Sequence, residues 1–142
     1  MAVNLVKLCV GATSVEDLEH WSAQRLAAMR KAGTRAELFH TTRMVPKRAD
    51  ELVAGGSLYW VIAGSIQCRQ TLTTIEPFVD GDGIGRCRLM LGPKIVRTRW
   101  MPKRPFQGWR YLKAEEAPAD LAAGETQVPA ELRADLAELG LL

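Results

Sequence analysis

Residues 57–91, SLYWVIAGSIQCRQTLTTIEPFVDGDGIGRCRLML, decide the fold. The run SLYWVI is apolar, aromatic and β-branched, the composition of a strand. Gly64 interrupts it and marks a bulge or tight turn before a second strand, SIQCRQTLTTIEPF. DGDG at 80–83 is a hairpin signal, because its glycines take the positive φ that such turns require. GRCRLML then returns as the partner strand. Its alternation puts Arg86 and Arg88 on one face and Cys87 and Leu89 on the other. Strands that follow one another through short turns pair antiparallel, so the centre of the chain reads as a curved antiparallel sheet or a small barrel.

Upstream, VNLVKLCV at 3–10 reads as a first strand, ended by Gly11. Ser14 is a good helix N-cap, and Glu16 and Asp17 fall in the first turn, where the helix dipole favours anions. A helix over 15–32 follows, with Trp21 expected in the core and Gly33 at the C-terminal stop. AELFHTT at 36–42 reads as a short strand. Pro46 opens a short helix that Gly55-Gly56 ends. Downstream, Gly92-Pro93 turns the chain into IVRTRWM, a strand with Arg97 and Arg99 on a common face. The basic, Pro-rich loop PKRPFQG leads into WRYLK. Residues 114–128 read as a linker, and 129–142 as an amphipathic helix with Leu132, Leu136 and Leu139 in its stripe. The expected class is α+β: one domain over 1–113, with an N-terminal helix packed on the sheet and a C-terminal helix docked on the domain.

The 142 residues, 47% hydrophobic and 25% charged, suit one globular domain and exclude wholesale disorder. No apolar run approaches the roughly 18–20 residues of a membrane span, and the start does not read as a secretory signal, so a cytoplasmic location is expected. Cys9, Cys68 and Cys87 are an odd number at wide spacing, which argues against a disulfide framework. No CxxC or paired-histidine spacing suggests a metal, and nothing implies a cofactor. The net charge of +3 hides an asymmetry. Residues 1–113 hold 18 Lys/Arg against 9 Asp/Glu, whereas 114–142 hold 1 against 7. A basic body of this kind points to a polyanionic partner.

Nucleic-acid binding needs cations for phosphate and flat side chains for bases. Residues 39–113 contain eight of the nine aromatics, with 13 Lys/Arg against 5 Asp/Glu. Two clusters stand out. Arg43, Lys47 and Arg48 surround Pro46, and Lys103, Arg104, Trp109 and Arg110 surround the PFQGW loop, where Gly108 permits a sharp turn. Tyr59 and Trp60 are adjacent in a strand and face opposite ways. Trp60 is expected in the core and Tyr59 outward or toward a pocket. Gln67 and Arg69 share a strand face and join the candidate anion- or nucleic-acid-binding set.

HTTRMVPKRADELVAGGSLYWVI at 40–62, RCRL at 86–89 and RPFQGWRYL at 104–112 resemble an uncharacterised bacterial family, a domain of unknown function of about this length. The likeness spans nearly the whole chain and implies no activity. More remotely, the order short helix, Gly-Gly, SLYWVI, Gly, SIQCRQTLTTI is similar to the centre of PUA-like barrels, among them the PUA, ASCH and EVE groups. That likeness implies a pseudo-barrel that binds RNA or modified bases, although no base-reading motif carries over.

Three functional readings follow. The first is a module binding RNA or a modified nucleotide, in which Arg43, Arg48, Arg104 and Arg110 converge on a groove floored by Trp109 or Tyr59. The second is a small enzyme acting on an anionic substrate near His40 and Arg43, which expects His40 in a pocket and paired with a carboxylate. The absence of GxSxG, HExxH and P-loop patterns weighs against it. The third is a protein-interaction module or homodimer built on the C-terminal helix.

Overall fold

The computed structural model describes residues 3–122. Seven strands and two helices follow the order β1 (Val3–Leu8), α1 (Val15–Lys31), β2 (Leu38–Thr42), α2 (Ala49–Val53), β3 (Ser57–Ile62), β4 (Ser65–Val79), β5 (Gly85–Leu91), β6 (Val96–Pro102) and β7 (Trp109–Lys113). A single 3-10 turn covers Ala114–Glu116. The class is mixed α+β, as the sequence predicts. The expected C-terminal helix over 129–142, and the later part of the linker, lie outside the described residues.

β4 is the spine. At 15 residues it is long enough to serve several neighbours. Its first half pairs with β3 on one side and β6 on the other, and its second half pairs with β5. A register shift between Leu72 and Thr74 marks where the strand passes from β3 and β6 to β5, and a second, between Ile66 and Cys68, lies within its pairing with β6. Bulges of this kind bend a strand and increase its twist. The turn from β3 to β4 is a two-residue one in which Ala63 and Gly64 both have positive φ, 50° and 84°. Two such residues in succession match the twist of the strands they join.

The strand order is β2-β5-β4-β3-β1-β7, with β6 attached to β4. Two expectations are corrected here. The curved sheet does not close into a barrel: β2 and β7 remain its edges. Nor is it wholly antiparallel, because β1 runs parallel to β3, with Leu5 opposite Leu58 and Leu8 opposite Val61. Between these two strands the chain passes through α1, β2 and α2, which supply the long crossover that a parallel pair needs.

Alternation along the strands divides the interior in two. Leu5, Leu58, Trp60, Ile62, Cys68 and Leu72 face the helices and meet Val15, Leu18 and Leu52 there. Val6, Tyr59, Val61, Ile66 and Leu112 face the other way, where Phe106 of the loop before β7 covers them. The first residues of the predicted linker also lie against the sheet. Leu121 N–H donates to the Arg97 carbonyl at 2.9 Å, and Arg99 N–H to the Ala119 carbonyl at 2.9 Å.

α1 begins as predicted: Ser14 Oγ accepts from Asp17 N–H at 3.2 Å. Gly33, at φ 75°, stands just beyond the C-cap Ala32. Within the helix only Val15 and Leu18 are buried. Trp21, expected in the core, is 44% exposed. Its ring is seated over Gly11, where an added Cβ would stand 3.1 Å from the indole. Helical spacing places Trp21 almost in line with Leu18, but the loop after β1, not the sheet, lies beneath it.

Candidate functional site

The sequence-predicted residues divide among four places. Arg43, Lys47 and Arg48 lie on the segment between β2 and α2, and that segment is tied to β7. Trp109 Nε1–H donates to the Met44 carbonyl at 2.9 Å, and Arg48 N–H donates to the Tyr111 hydroxyl at 3.1 Å. The Arg48 guanidinium lies 5.6 Å from the Tyr111 ring centroid, and Trp109 and Tyr111 meet edge to face at 5.0 Å. Arg48 also pairs with Glu51. This hydrogen bond raises the Arg48 pKa and holds the Glu51 carboxyl below its usual value. Arg43 and Lys47 are exposed and make no ion pair among the described residues.

Arg110 stands on the opposite side of the sheet from Trp109, because neighbours in a strand face opposite ways. Its guanidinium lies 4.7 Å from the ring of Phe106, in the second core. The loop carrying Lys103 and Arg104 is anchored at the β3–β4 turn, where Lys103 N–H donates to the Gly64 carbonyl at 2.9 Å. A groove shared by Arg48 and Arg110 and floored by Trp109 is therefore not what the fold builds. The sequence distance between Trp109 and Arg110 is one residue, and pleating places a sheet between their side chains.

Tyr59, expected outward or toward a pocket, is 7% exposed and packs in the second core, while also lining a polar groove of about 400 Å³. Arg69 stands opposite it and is already engaged. Its guanidinium bonds both carboxylate oxygens of Asp120, at 2.8 and 2.7 Å, and Ser57 Oγ at 3.0 Å. The Arg69 bonds hold the Asp120 carboxyl below the ordinary range. Gln67 is buried and donates to the Ile62 carbonyl at 2.7 Å, which braces the β3–β4 turn. These polar residues hold the sheet together.

His40 lies elsewhere again, in a cavity of about 310 Å³ between α1 and the sheet. Its ring meets Trp60 edge-on, with centroids 5.2 Å apart and planes at 87°. Trp60 Nε1–H donates to Gln70 Oε1 at 2.8 Å, and Gln70 Nε2–H donates onward to the Gly92 carbonyl at 3.2 Å. Both ends of this buried amide are thus satisfied, which fixes the Trp60 wall. Burial, and then the charges of Lys7 and Arg25, push the His40 pKa down to about 4. Burial pushes the Cys9 thiol at the same cavity up to about 11. At neutral pH both groups are uncharged, the reverse of a thiolate–imidazolium pair. The charges acting on His40 are cations, so the carboxylate partner expected by the enzyme reading is not what faces it.

Sequence reasoning missed this cavity. Its walls come from the loop after β1 and from α1, β2, β3, β4 and β5, and no short motif spans them. Among the described residues no group of three or more His, Cys, Asp or Glu stands close enough to hold a metal ion. No helix there is long and apolar enough to cross a membrane.

The sequence pattern of one protein family, described as a protein of unknown function, DUF1489, matches residues 5–142. The chain belongs to the DUF1489 family. The match runs from within β1 through the rest of the sheet, both helices and the C-terminal stretch. No curated protein and no solved structure matches this DUF1489 chain.

Proposed function

We propose that this DUF1489 chain is a nucleic-acid-binding module that grips single-stranded RNA or a modified nucleotide through the face made by the Arg43–Arg48 segment and β7. The observation that carries this reading is the pair of hydrogen bonds from Trp109 and to Tyr111. They fix a cationic segment against two aromatic side chains, one of them exposed. Arg43 and Lys47 offer unpaired charge for phosphate, and Trp109 and Tyr111 offer ring surface for a base. Stacking of a base on an aromatic contributes about 1–3 kcal/mol. The cysteines are all free thiols, which supports a reducing compartment such as the cytoplasm.

Fluorescence anisotropy with a labelled short RNA and the matching single-stranded DNA tests this. Three phosphate contacts, from Arg43, Lys47 and Arg48, give an affinity that falls about 20-fold between about 50 and 200 mM salt, from a slope of about −0.7 per contact. The double variant Arg43→Ala/Lys47→Ala lowers affinity and flattens that slope. Absence of binding at low salt, or binding with no salt dependence, overturns the reading.

A further inference from the structure

The cavity beneath α1 is a second place where ring surface and positive charge meet, and it does not depend on the face just described. Three features mark it as built for a ligand. Its walls are flat: Trp21, Phe39 and Trp60 line it, with Leu18, Leu38 and Leu91 filling between. Its charge has one sign. Arg25 is the charged lining residue, no carboxylate lines the cavity, and the Arg25 guanidinium lies 5.3 Å from the Phe39 ring without an ion pair among the described residues. Its polar groups are part spoken for and part open. Gln70 is engaged at its oxygen by Trp60 and at its nitrogen by Gly92, whereas the His40 ring makes no hydrogen bond among the described residues. A volume of about 310 Å³ holds one or two fused rings and a small substituent.

We propose that this cavity binds a planar aromatic ring carrying one anionic group, with the ring between Trp21 and Trp60 and the anion on Arg25 and His40. Trp21 serves as the outer wall, which explains why a tryptophan stays half in solvent on a helix that has an apolar side. Gly11 lets the indole approach the backbone closely, since a side chain there would stand against it. The anion supplies the counter-charge that Arg25, the charged lining residue, lacks among the described residues. A bound anion opposes the Lys7 and Arg25 charges that add to burial in holding His40 neutral, so it raises the His40 pKa. Cys9, the remaining titratable group of the lining, stays a thiol throughout. The anion is either a phosphate, as in a mononucleotide or a nucleotide of a bound strand, or a carboxylate on a free aromatic acid.

Calorimetry on the full chain, with His40 imidazole NMR signals as a second readout, distinguishes these. The probes are indole-3-carboxylate against indole, and adenosine monophosphate against adenosine. At least one charged probe binds about tenfold or more tighter than its neutral counterpart, reflecting a charge-assisted contact to Arg25, and shifts the His40 titration upward. Arg25→Gln, an exposed position, removes that difference, and Trp21→Ala, also exposed, weakens charged and neutral probes alike. Preference for the nucleotide or for the acid identifies the source of the anion. Equal binding of charged and neutral probes, or no binding of any of the four, overturns the proposal. Arg43→Ala/Lys47→Ala leaves the probes unaffected, so loss of oligonucleotide binding in that variant and loss of probe binding in Arg25→Gln report on separate sites.

Discussion

Single residues in this fold do work that their type alone does not reveal. Gly55 and Gly56 read together as a helix stop, but each serves a different need. Gly55 takes φ 114°, which a glycine adopts without strain. Gly56 has an ordinary φ, but a Cβ there would lie 2.2 Å from the Val3 carbonyl oxygen and 2.5 Å from that of Leu52. Backbone cannot retreat from such a clash, so Gly56→Ala lowers stability by about 2–4 kcal/mol. Urea unfolding measures this, and an unchanged midpoint shows that the close approach is not tight. His40 makes a second residue-scale prediction. Its native pKa of about 4 lies below its usual 6.5, so the unfolded chain takes up a proton first as pH falls. Stability from this group is complete above about pH 6.5 and declines toward pH 4, by up to about 2 kcal/mol after allowing for partial exposure. His40→Gln removes that component, which appears as a shallower acid branch when denaturation curves of the two proteins are compared.

At the scale of elements, α1 is the weakly held part. Two buried residues anchor its N-terminal turns, and Arg97 of β6 reaches Glu16 at 2.9 Å and Glu19 at 2.6 Å. These bridges are partly exposed, so Arg97→Ala costs about 1 kcal/mol and less in high salt. Hydrogen exchange reads the consequence more directly. Amides in the second half of α1 exchange well before those of β3 and β4 in the native chain, and Arg97→Ala accelerates α1 selectively. Uniform acceleration across the sheet would instead mean that Arg97 supports β6. Because α1 forms one wall of the aromatic cavity, a ligand there slows α1 exchange. β3 and β4 were readable from sequence because each carries a strand composition bounded by a glycine turn. The parallel pairing of β1 with β3 was not, since hydrogen-bond direction between distant segments leaves no local pattern.

At the scale of the molecule, the sheet divides the basic residues between two sides. The Arg43–Arg48 segment joins β7 on the helix side, and Arg110 lies with Phe106 on the other. If the helix side grips nucleic acid, Arg43→Ala/Lys47→Ala weakens binding about tenfold, two contacts' worth, while Arg104→Ala/Arg110→Ala changes it by less than about threefold. The opposite ranking, read in the same anisotropy titration, would move the interface to the Phe106 side. Cys68 and Cys87 are fully buried in the core beneath the helices, and burial pushes the Cys68 thiol up to about 12. They behave there as small apolar residues, consistent with the odd cysteine count.

The sequence by itself determined the class and most elements of this protein. Strand composition, glycine turns, the Ser14 cap and the Arg86/Arg88 alternation are local signals, and each corresponds to an element or a face in the fold. It also located the basic, aromatic composition of residues 39–113. Tertiary structure alone decided which of those residues meet. Trp109 and Arg110 are neighbours in sequence and lie on opposite faces, whereas Trp109 and Met44, far apart in sequence, share a hydrogen bond. Trp21, His40 and Trp60 line one cavity only because α1, β2 and β3 pack together. The reason is that pleat and turn are set by neighbouring residues, while a cavity or a binding face is set by register and packing between segments that the chain brings together only on folding.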